Sequence, residues 1–300
     1  MAGKKRGGCG LLVLVVVVAL LGVGYYKAKH GSSTEPPSGA DTGGGSGRYV
    51  ALADSYTSAP RTGHAAGSPA GCDRSDNNYP HLVAAKLKPA QFADVSCSGA
   101  TTADLTGSQS THNGTNPPQL DAVAAATTLV TLGIGGNDVG FIALAPSCVT
   151  SHRDAAPCHD RLTTGGHDQL ADRIDAVAGK VGAVLDRIHA KAPKARVVVV
   201  GYPTVLPDGD GCWPALPVGS GDVAYLRDAL KHLDDVLQEK AKSHSAGYAD
   251  TAGPSKGHDV CTGSDTRWIE GLVPTSAAAP LHPNARGEAG MATAVESVVS

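Results

Sequence analysis

Residues 128–138 read Thr-Leu-Val-Thr-Leu-Gly-Ile-Gly-Gly-Asn-Asp, an apolar run that ends in two glycines and two polar residues. The run is apolar almost throughout instead of alternating, which is typical of a strand buried on both faces of a parallel sheet. Residues 196–201, Arg-Val-Val-Val-Val-Gly, have the same character. Both segments are therefore predicted to be central strands of a parallel sheet.

Shorter apolar runs and helical patterns alternate with these two strands. Further strands are predicted at residues 49–53, 92–95 and 247–249. Helices are predicted at residues 79–87, 118–126, 168–192, 222–243 and 284–299. Strands that alternate with helices pair in parallel through right-handed crossovers, and the helices cover both faces of the sheet. The pattern predicts an α/β fold whose ligand site lies beyond the carboxyl ends of the strands.

The composition excludes several classes of protein. The 300 residues include 25 basic and 28 acidic side chains, for a formal net charge of -3. A nucleic-acid-binding protein would be expected to carry a basic face, so nucleic acid is excluded as the main partner. The hydrophobic content of 41% excludes a chain that is disordered throughout.

The first 47 residues have the pattern of an export segment followed by a tether. Lys4, Lys5 and Arg6 precede an uncharged stretch at 7–26, which as a helix would reach about 30 Å, the thickness of a bilayer's apolar core. Because basic residues stay in the cytoplasm, the rest of the chain is expected outside. We predict a signal peptide or an uncleaved N-terminal membrane anchor at 1–29, a flexible Gly/Ser/Pro linker at 30–47 and a folded, exported domain at 48–300.

Six cysteines follow the export segment, an even number that fits an oxidising compartment. They are Cys72, Cys97, Cys148, Cys158, Cys212 and Cys261. Six cysteines allow 15 disulfide pairings, and sequence alone does not choose between them. The alternative is a zinc site made by Cys148, His152, Cys158 and His159. The tight spacing of common zinc sites is missing there, so disulfides are favoured and no metal is expected.

Polar residues at the ends of the first three strands, with one histidine near the C-terminus, suit acyl transfer. That reaction needs a hydroxyl nucleophile, a base that takes its proton, and fixed donors for the carbonyl oxygen as it becomes negative. Ser55 follows the first strand, Gly99 the second and Asn137 the third. His282 precedes Pro283, which biases it toward an extended conformation just before the last helix.

Four blocks of sequence resemble, in order and spacing, the signature blocks of the SGNH (GDSL) hydrolases. They are Ala-Asp-Ser-Tyr at 53–56, Gly99, Gly-Asn-Asp at 136–138 and His-Pro-Asn at 282–284. The similarity runs from about Arg48 to the end and is strongest to secreted actinobacterial lipases and esterases of that family. It implies a flavodoxin-like, three-layer α/β/α sandwich with a central parallel sheet of about five strands.

The same resemblance implies a role for each site residue. Ser55 would be the nucleophile and His282 the base, and the oxyanion hole would consist of the N–H groups of Ser55 and Gly99 and the side-chain amide of Asn137. The disulfides implied are Cys72 with Cys97, Cys148 with Cys158, and Cys212 with Cys261. No metal or organic cofactor is needed for this chemistry, and a monomer is expected.

The chain departs from the family pattern at two positions. Ala53 stands where the family usually has glycine, and its methyl group would strain the turn if the position needed a positive φ. Ala279 stands where the family usually has an aspartate three residues before the histidine. Some relatives orient the histidine with a backbone carbonyl at that position, so the Ala279 carbonyl is predicted to hold the imidazole of His282.

These observations predict an exported serine esterase or lipase that hydrolyses carboxylic esters, with a small-molecule or lipid ester as substrate. The loop at 146–166 is polar, which favours short or medium acyl chains over long ones. Two alternatives stay open: a polysaccharide deacetylase of the same fold, and a catalytically silent surface-binding protein, suggested by Ala53 and Ala279. A second match to a nucleophile motif, Gly-Pro-Ser-Lys-Gly at 253–257, lacks a following helix pattern and is interpreted as a loop.

Overall fold

A parallel sheet of five strands forms the centre of the computed structural model, which describes residues 47–300. In chain order the strands are β1 (Arg48–Ala53), β2 (Gln91–Asp94), β3 (Gln109–Thr111), β4 (Gly114–Asn116), β5 (Thr127–Gly133), β6 (Arg196–Val200) and β7 (Gly247–Ala249). The sheet has the order β2-β1-β5-β6-β7, and β3 and β4 form a separate antiparallel hairpin. All five strands of the predicted sheet are present, each within one residue of its predicted start. The hairpin was not predicted.

Helices connect the strands of the sheet. They are α1 (Ser55–Ser58), α2 (Tyr79–Leu87), α3 (Gly136–Val139), α4 (Phe141–Leu144), α5 (Pro157–Leu162), α6 (Gln169–Lys191), α7 (Ser220–Ser243), α8 (Ala252–Ser255) and α9 (Ala285–Val299). The helix predicted at 118–126 was wrong, because only a 3-10 turn at Gln119–Ala122 forms there. The side chain of Gln119 is held by the backbone of β1, and Val123 is already extended, so the turn cannot continue as a helix.

The side chains of the sheet alternate between two helical layers. Val50 and Val130 point to the face covered by α6 and α7, where the apolar stripe of α6 is buried from Leu170 to Ile188. Tyr49 and Ala51 point to the opposite face, which is covered by α2 and α9. The predicted three-layer α/β/α sandwich is therefore confirmed, and the carboxyl ends of β1, β2 and β5 share one edge.

Three disulfides link the loops around this core. The pairs are Cys72 with Cys97, Cys148 with Cys158, and Cys212 with Cys261, as the family resemblance implies. The zinc alternative fails because the sulfurs of Cys148 and Cys158 are bonded to each other. The buried carboxylate of Asp222 beside them accepts hydrogen bonds from the backbone N–H groups of Cys158 and His159, at 2.9 and 2.8 Å.

The predicted export segment at 1–29 and almost all of the predicted linker at 30–47 lie outside the described residues. Within residues 47–300, no helix is both long enough and apolar enough to cross a bilayer.

Candidate active site

Ser55 lies at the sharp turn between β1 and α1. The carboxylate of Asp54 caps the short helix, because its Oδ1 accepts a hydrogen bond from the N–H of Tyr56 at 3.0 Å. The N–H of Asp54 in turn donates to the carbonyl of Gly133 at the end of β5, at 3.1 Å. These contacts place the hydroxyl of Ser55 at the carboxyl edge of the sheet.

Ala53 fits this turn without strain. The φ of Ala53 is not positive, so a residue with a Cβ fits this position without backbone strain. The side-chain amide of Gln119 accepts from the N–H of Ala53 at 2.8 Å and donates to its carbonyl at 2.9 Å. This departure from the family pattern therefore leaves the nucleophile turn intact.

The imidazole of His282 lies between the hydroxyl of Ser55 and a backbone carbonyl. Its Nε2 is 2.8 Å from the Oγ of Ser55, and its Nδ1 is 2.7 Å from the carbonyl oxygen of Pro280. A carbonyl oxygen can only accept, so Nδ1 carries the proton and Nε2 has a free lone pair directed at the hydroxyl. This is the tautomer that a general base needs.

The prediction that Ala279 supplies the orienting carbonyl was wrong. The Ala279 carbonyl accepts from the backbone N–H of His282, at 3.2 Å, and the carbonyl one residue later, that of Pro280, faces the ring. The shift occurs because Leu281 adopts a left-handed φ of 61°, which tightens the turn before His282.

Burial keeps the imidazole neutral. Burial lowers the pKa of His282 from its usual value, and the hydrogen bond to the Pro280 carbonyl opposes this only in part. A neutral imidazole is the form that accepts a proton, so His282 is ready to act as a base at neutral pH.

The turn before His282 is held from two sides. On one side, the hydroxyl of Tyr56 donates to the carbonyl of Leu281 at 2.7 Å, and the ring of Tyr56 packs on the imidazole with 5.0 Å between centroids. On the other side, the N–H of the buried Glu270 donates to the carbonyl of His282 at 3.0 Å. Sequence reasoning missed Glu270, whose neighbours carry no recognisable motif.

Glu270 is a buried carboxylate with a full set of donors. It accepts from the side-chain amide of Asn284 at 2.8 Å and from the N–H and hydroxyl of Thr275 at 2.7 and 3.1 Å. Burial alone would raise the pKa of Glu270, but these donors together hold it below its usual value. The ionised carboxylate therefore fixes the loop that carries His282.

The two loops expected to complete an oxyanion hole are tied to each other. Asn137 donates through Nδ2 to the carbonyl of Ala100 at 2.9 Å, which leaves its second amide N–H for another acceptor. Asp138 accepts from the N–H and hydroxyl of Thr102 at 2.8 and 2.6 Å. Gly99 is exposed, with a left-handed φ of 78°, which favours glycine and lets the backbone approach a ligand.

An apolar pocket of ≈ 120 Å³ opens beside Ser55 and Asn137. Its apolar walls are formed by Phe141, Ile142, Ala145, Val205, Leu206, Leu216, Val218, Leu226, Leu230 and Leu281, together with Cys148. Of the polar loop at 146–166, only Cys148 reaches the pocket. The argument from that loop for short or medium acyl chains therefore loses its basis, because other segments line the pocket.

The segment 253–257 was predicted to be a loop, but its first three residues lie in the short helix α8, and the hydroxyl of Ser255 has a structural role. It donates to the carbonyl of Thr251 at 2.7 Å and accepts from the N–H of Thr204 at 2.7 Å, in a fully buried position. The serine of this second motif match therefore connects two loops and is not available as a nucleophile.

Sequence reasoning also missed Tyr202, which touches Asp54 and lines the apolar pocket. A signal was available, because Tyr202 follows directly after the predicted strand at 196–201, where the strand-end rule places functional side chains.

Comparison with known proteins matches residues 54–289 to the GDSL-like lipase/acylhydrolase family. The chain belongs to this family. Lipase 2 of Streptomyces coelicolor is 41% identical over 254 residues, which cover 81% of this chain and 83% of the relative. The SGNH (GDSL) resemblance inferred from the four blocks is therefore confirmed.

Two solved structures of similar proteins agree with the fold. Phospholipase A1 from Streptomyces albidoflavus is 32% identical, with a TM-score of 0.71 over 84% of this chain and 99% of the other. The extracellular lipase of Streptomyces rimosus is 28% identical, with a TM-score of 0.66 and the same coverage. This GDSL-like chain is accordingly a carboxylic ester hydrolase.

Proposed function

We propose that this chain is an exported serine esterase that works through a Ser55–His282 dyad. The observation that carries the proposal is the 2.8 Å contact between the Nε2 of His282 and the Oγ of Ser55, made while Nδ1 is held by the Pro280 carbonyl. The dyad needs no carboxylate at Ala279, because a neutral carbonyl already fixes the tautomer. The intact dyad also argues against the silent binding protein.

The reaction follows from this geometry. Nε2 of His282 takes the hydroxyl proton as the Oγ of Ser55 attacks the acyl carbonyl, and the N–H groups of Ser55 and Gly99 and the amide of Asn137 stabilise the oxyanion. The intermediate collapses, His282 returns the proton to the leaving alcohol, and an acyl-enzyme forms. Water activated by His282 then releases the carboxylic acid. Apart from the hydrolytic water, these steps use only groups of the chain itself.

The apolar pocket supports an acyl chain as the group that is bound. Its walls are mainly Leu, Val, Ile and Phe side chains, which gain free energy by removing methylene groups from water, about 0.8 kcal/mol per buried CH₂. An acetyl group on a polysaccharide would leave most of this surface unfilled, so a lipid ester is favoured over an acetylated glycan. The names of the relatives, lipase and phospholipase A1, also favour a lipid ester as the substrate.

Export is supported by two observations. Six cysteines form three disulfides, which persist in oxidising compartments. The Streptomyces rimosus relative is described as extracellular. The catalytic domain is proposed to span 48–300, as the onset of β1 at Arg48 suggests.

The test is hydrolysis of chromogenic esters of increasing acyl length by the oxidised protein. Ser55→Ala is expected to lower kcat by about 10⁴-fold or more, as removal of a catalytic serine does in serine proteases. The matched control is Ser110→Ala, which removes an exposed hydroxyl from the hairpin and is expected to leave kcat unchanged. Turnover by Ser55→Ala at the wild-type rate would refute the proposal.

A further inference from the structure

We propose that Tyr202 is a positioning residue that joins the nucleophile turn to the oxyanion loop through a single hydroxyl group. The inference rests on the proposed function, because it concerns the residues assigned there to nucleophile and oxyanion hole. It adds a residue from the loop just after β6 (Arg196–Val200), a part of the chain that supplies none of the four family blocks.

The backbone of Tyr202 is fixed where β6 ends. Its N–H donates to Oδ1 of the buried Asp234 on α7, at 2.8 Å, and the residue is only 4% exposed. The ring is packed edge-on against Tyr56, with 5.2 Å between centroids. The hydroxyl group is therefore held in place from both ends of the side chain.

That hydroxyl makes two hydrogen bonds to two different catalytic loops. It donates to Oδ2 of Asp54 at 2.5 Å and accepts from the N–H of Gly136 at 2.8 Å. Asp54 immediately precedes Ser55, and Gly136 immediately precedes Asn137. The distance between the nucleophile and the oxyanion donor is thus set in part by one phenol oxygen.

Both partners need this hydroxyl. Oδ1 of Asp54 is used in capping Tyr56, so Oδ2 depends on the Tyr202 hydroxyl as its donor, in a residue that is 2% exposed. The N–H of Gly136 lies in the first turn of α3, where no carbonyl of the same helix can accept it. Burial raises the pKa of Asp54 to about 7, and the hydrogen bond from Tyr202 opposes that rise.

The expected consequence is specific to the transition state. The oxyanion carries its full charge only after Ser55 attacks, so a misplaced donor weakens the transition state more than the bound substrate. Tyr202→Phe keeps the ring that lines the apolar pocket and removes only the bridging oxygen. We expect kcat to fall about 10- to 100-fold and KM to change less than about twofold.

The experiment uses the full chain and four single variants, Tyr202→Phe, Tyr225→Phe, Gly136→Ala and Asn137→Ala. Tyr225→Phe is the matched control, because Tyr225 also donates to a carboxylate, that of Asp168 at 2.7 Å, but lies outside the lining of the apolar pocket. We expect it to retain wild-type kcat. Gly136→Ala disturbs the same bridge from the other side, because its added Cβ would lie 3.1 Å from the Tyr202 hydroxyl. We expect Gly136→Ala to lower kcat as well, and it serves as the test if Tyr202→Phe does not fold.

The decisive measurement is Tyr202→Phe in an Asn137→Ala background. If Tyr202 acts by placing Asn137, its loss costs less than about threefold once that amide is gone, so the two effects are not additive. A full additive loss in this background, or wild-type kcat in both Tyr202→Phe and Gly136→Ala, would overturn the inference. Failure of the proposed function is separate, because it would appear as wild-type turnover by Ser55→Ala.

Discussion

His282 determines how the proposed enzyme responds to pH. The base must be neutral to take the proton of Ser55, and burial lowers the pKa of His282. A base with a lower pKa stays in its neutral, active form at lower pH. We therefore expect the acid limb of kcat/KM to have its midpoint below about 6.5, the ordinary histidine value.

The pH profile should be measured with an ester whose leaving group does not titrate in this range. A control profile of thermal stability over the same range separates loss of catalysis from acid unfolding. Asp54 caps the turn that carries Ser55, and burial raises its pKa to about 7, so the profile is also recorded for Asp54→Asn, which cannot titrate. An acid midpoint above about 6.5 in both proteins would contradict a buried neutral imidazole as the base.

Ala53 illustrates how little a family departure can matter when the backbone tolerates it. Because its φ lies in the ordinary range, Ala53→Gly relieves no strain; it adds freedom to the unfolded chain and removes a fully buried methyl group. We expect unchanged kcat and a free energy of unfolding lowered by about 1–2 kcal/mol, measured by denaturant titration. An increase in stability would mean that the methyl group is strained after all.

At the scale of elements, the proposed catalytic groups lie where parallel strands end. Ser55 follows β1, and Asn137 follows β5, as periodicity and the strand-end rule predicted. The carbonyl of Pro280 that faces His282, and Glu270, whose N–H holds the carbonyl of His282, lie in a long loop without periodicity. Their positions depend on contacts with Tyr56 and Asn284, which are distant or poorly patterned in sequence.

Helix α7 and the loop after β6 form a wall between two cavities. Val205, Leu206 and Leu230 line the apolar pocket and also a polar groove of ≈ 490 Å³ that contains Asp208 and Asp235. A wall shared in this way limits how far an acyl chain can extend. Shortening Leu230 is expected to open the pocket toward the groove.

We expect Leu230→Ala to raise the ratio of kcat/KM for long over medium acyl esters at least about fivefold, since each additional buried CH₂ contributes about 0.8 kcal/mol. Leu226→Ala is the control, because Leu226 lines the apolar pocket but not the polar groove. Leu226→Ala widens the apolar pocket without connecting it to the polar groove. It should therefore change the ratio of kcat/KM for long over medium acyl esters less than Leu230→Ala does. The same acyl-length profile in wild type and Leu230→Ala would contradict the role of the wall.

At the scale of the whole molecule, the disulfides constrain loops that carry the pocket. The Cys212–Cys261 bond closes a separation of 49 residues and lies beside the apolar cluster of Leu216, Val218 and Ile269. Each disulfide is expected to contribute roughly 2–4 kcal/mol. Full reduction should therefore lower the Tm by about 10 °C or more, measured by thermal unfolding with and without reductant. An unchanged Tm under strong reductant would show that the bonds do not stabilise the fold.

The sequence by itself determined the layers of the fold, the five strands of the sheet and the family, and it predicted Ser55 and His282 as the nucleophile and base proposed above. These follow from local periodicity and from short motifs, which depend on residues close together in the chain. The pairing of the cysteines came from the family resemblance, since their spacing left 15 possibilities open.

Only the tertiary structure decided which carbonyl contacts the imidazole of His282, what lines the pocket beside Ser55, and how Tyr202 connects Asp54 with Gly136. The physical reason is the same in each case. The pocket wall is assembled from five separate segments, and the Tyr202 hydroxyl bridges Asp54 and Gly136, so each feature depends on distances in space between residues far apart in sequence. No periodicity along the chain encodes such distances.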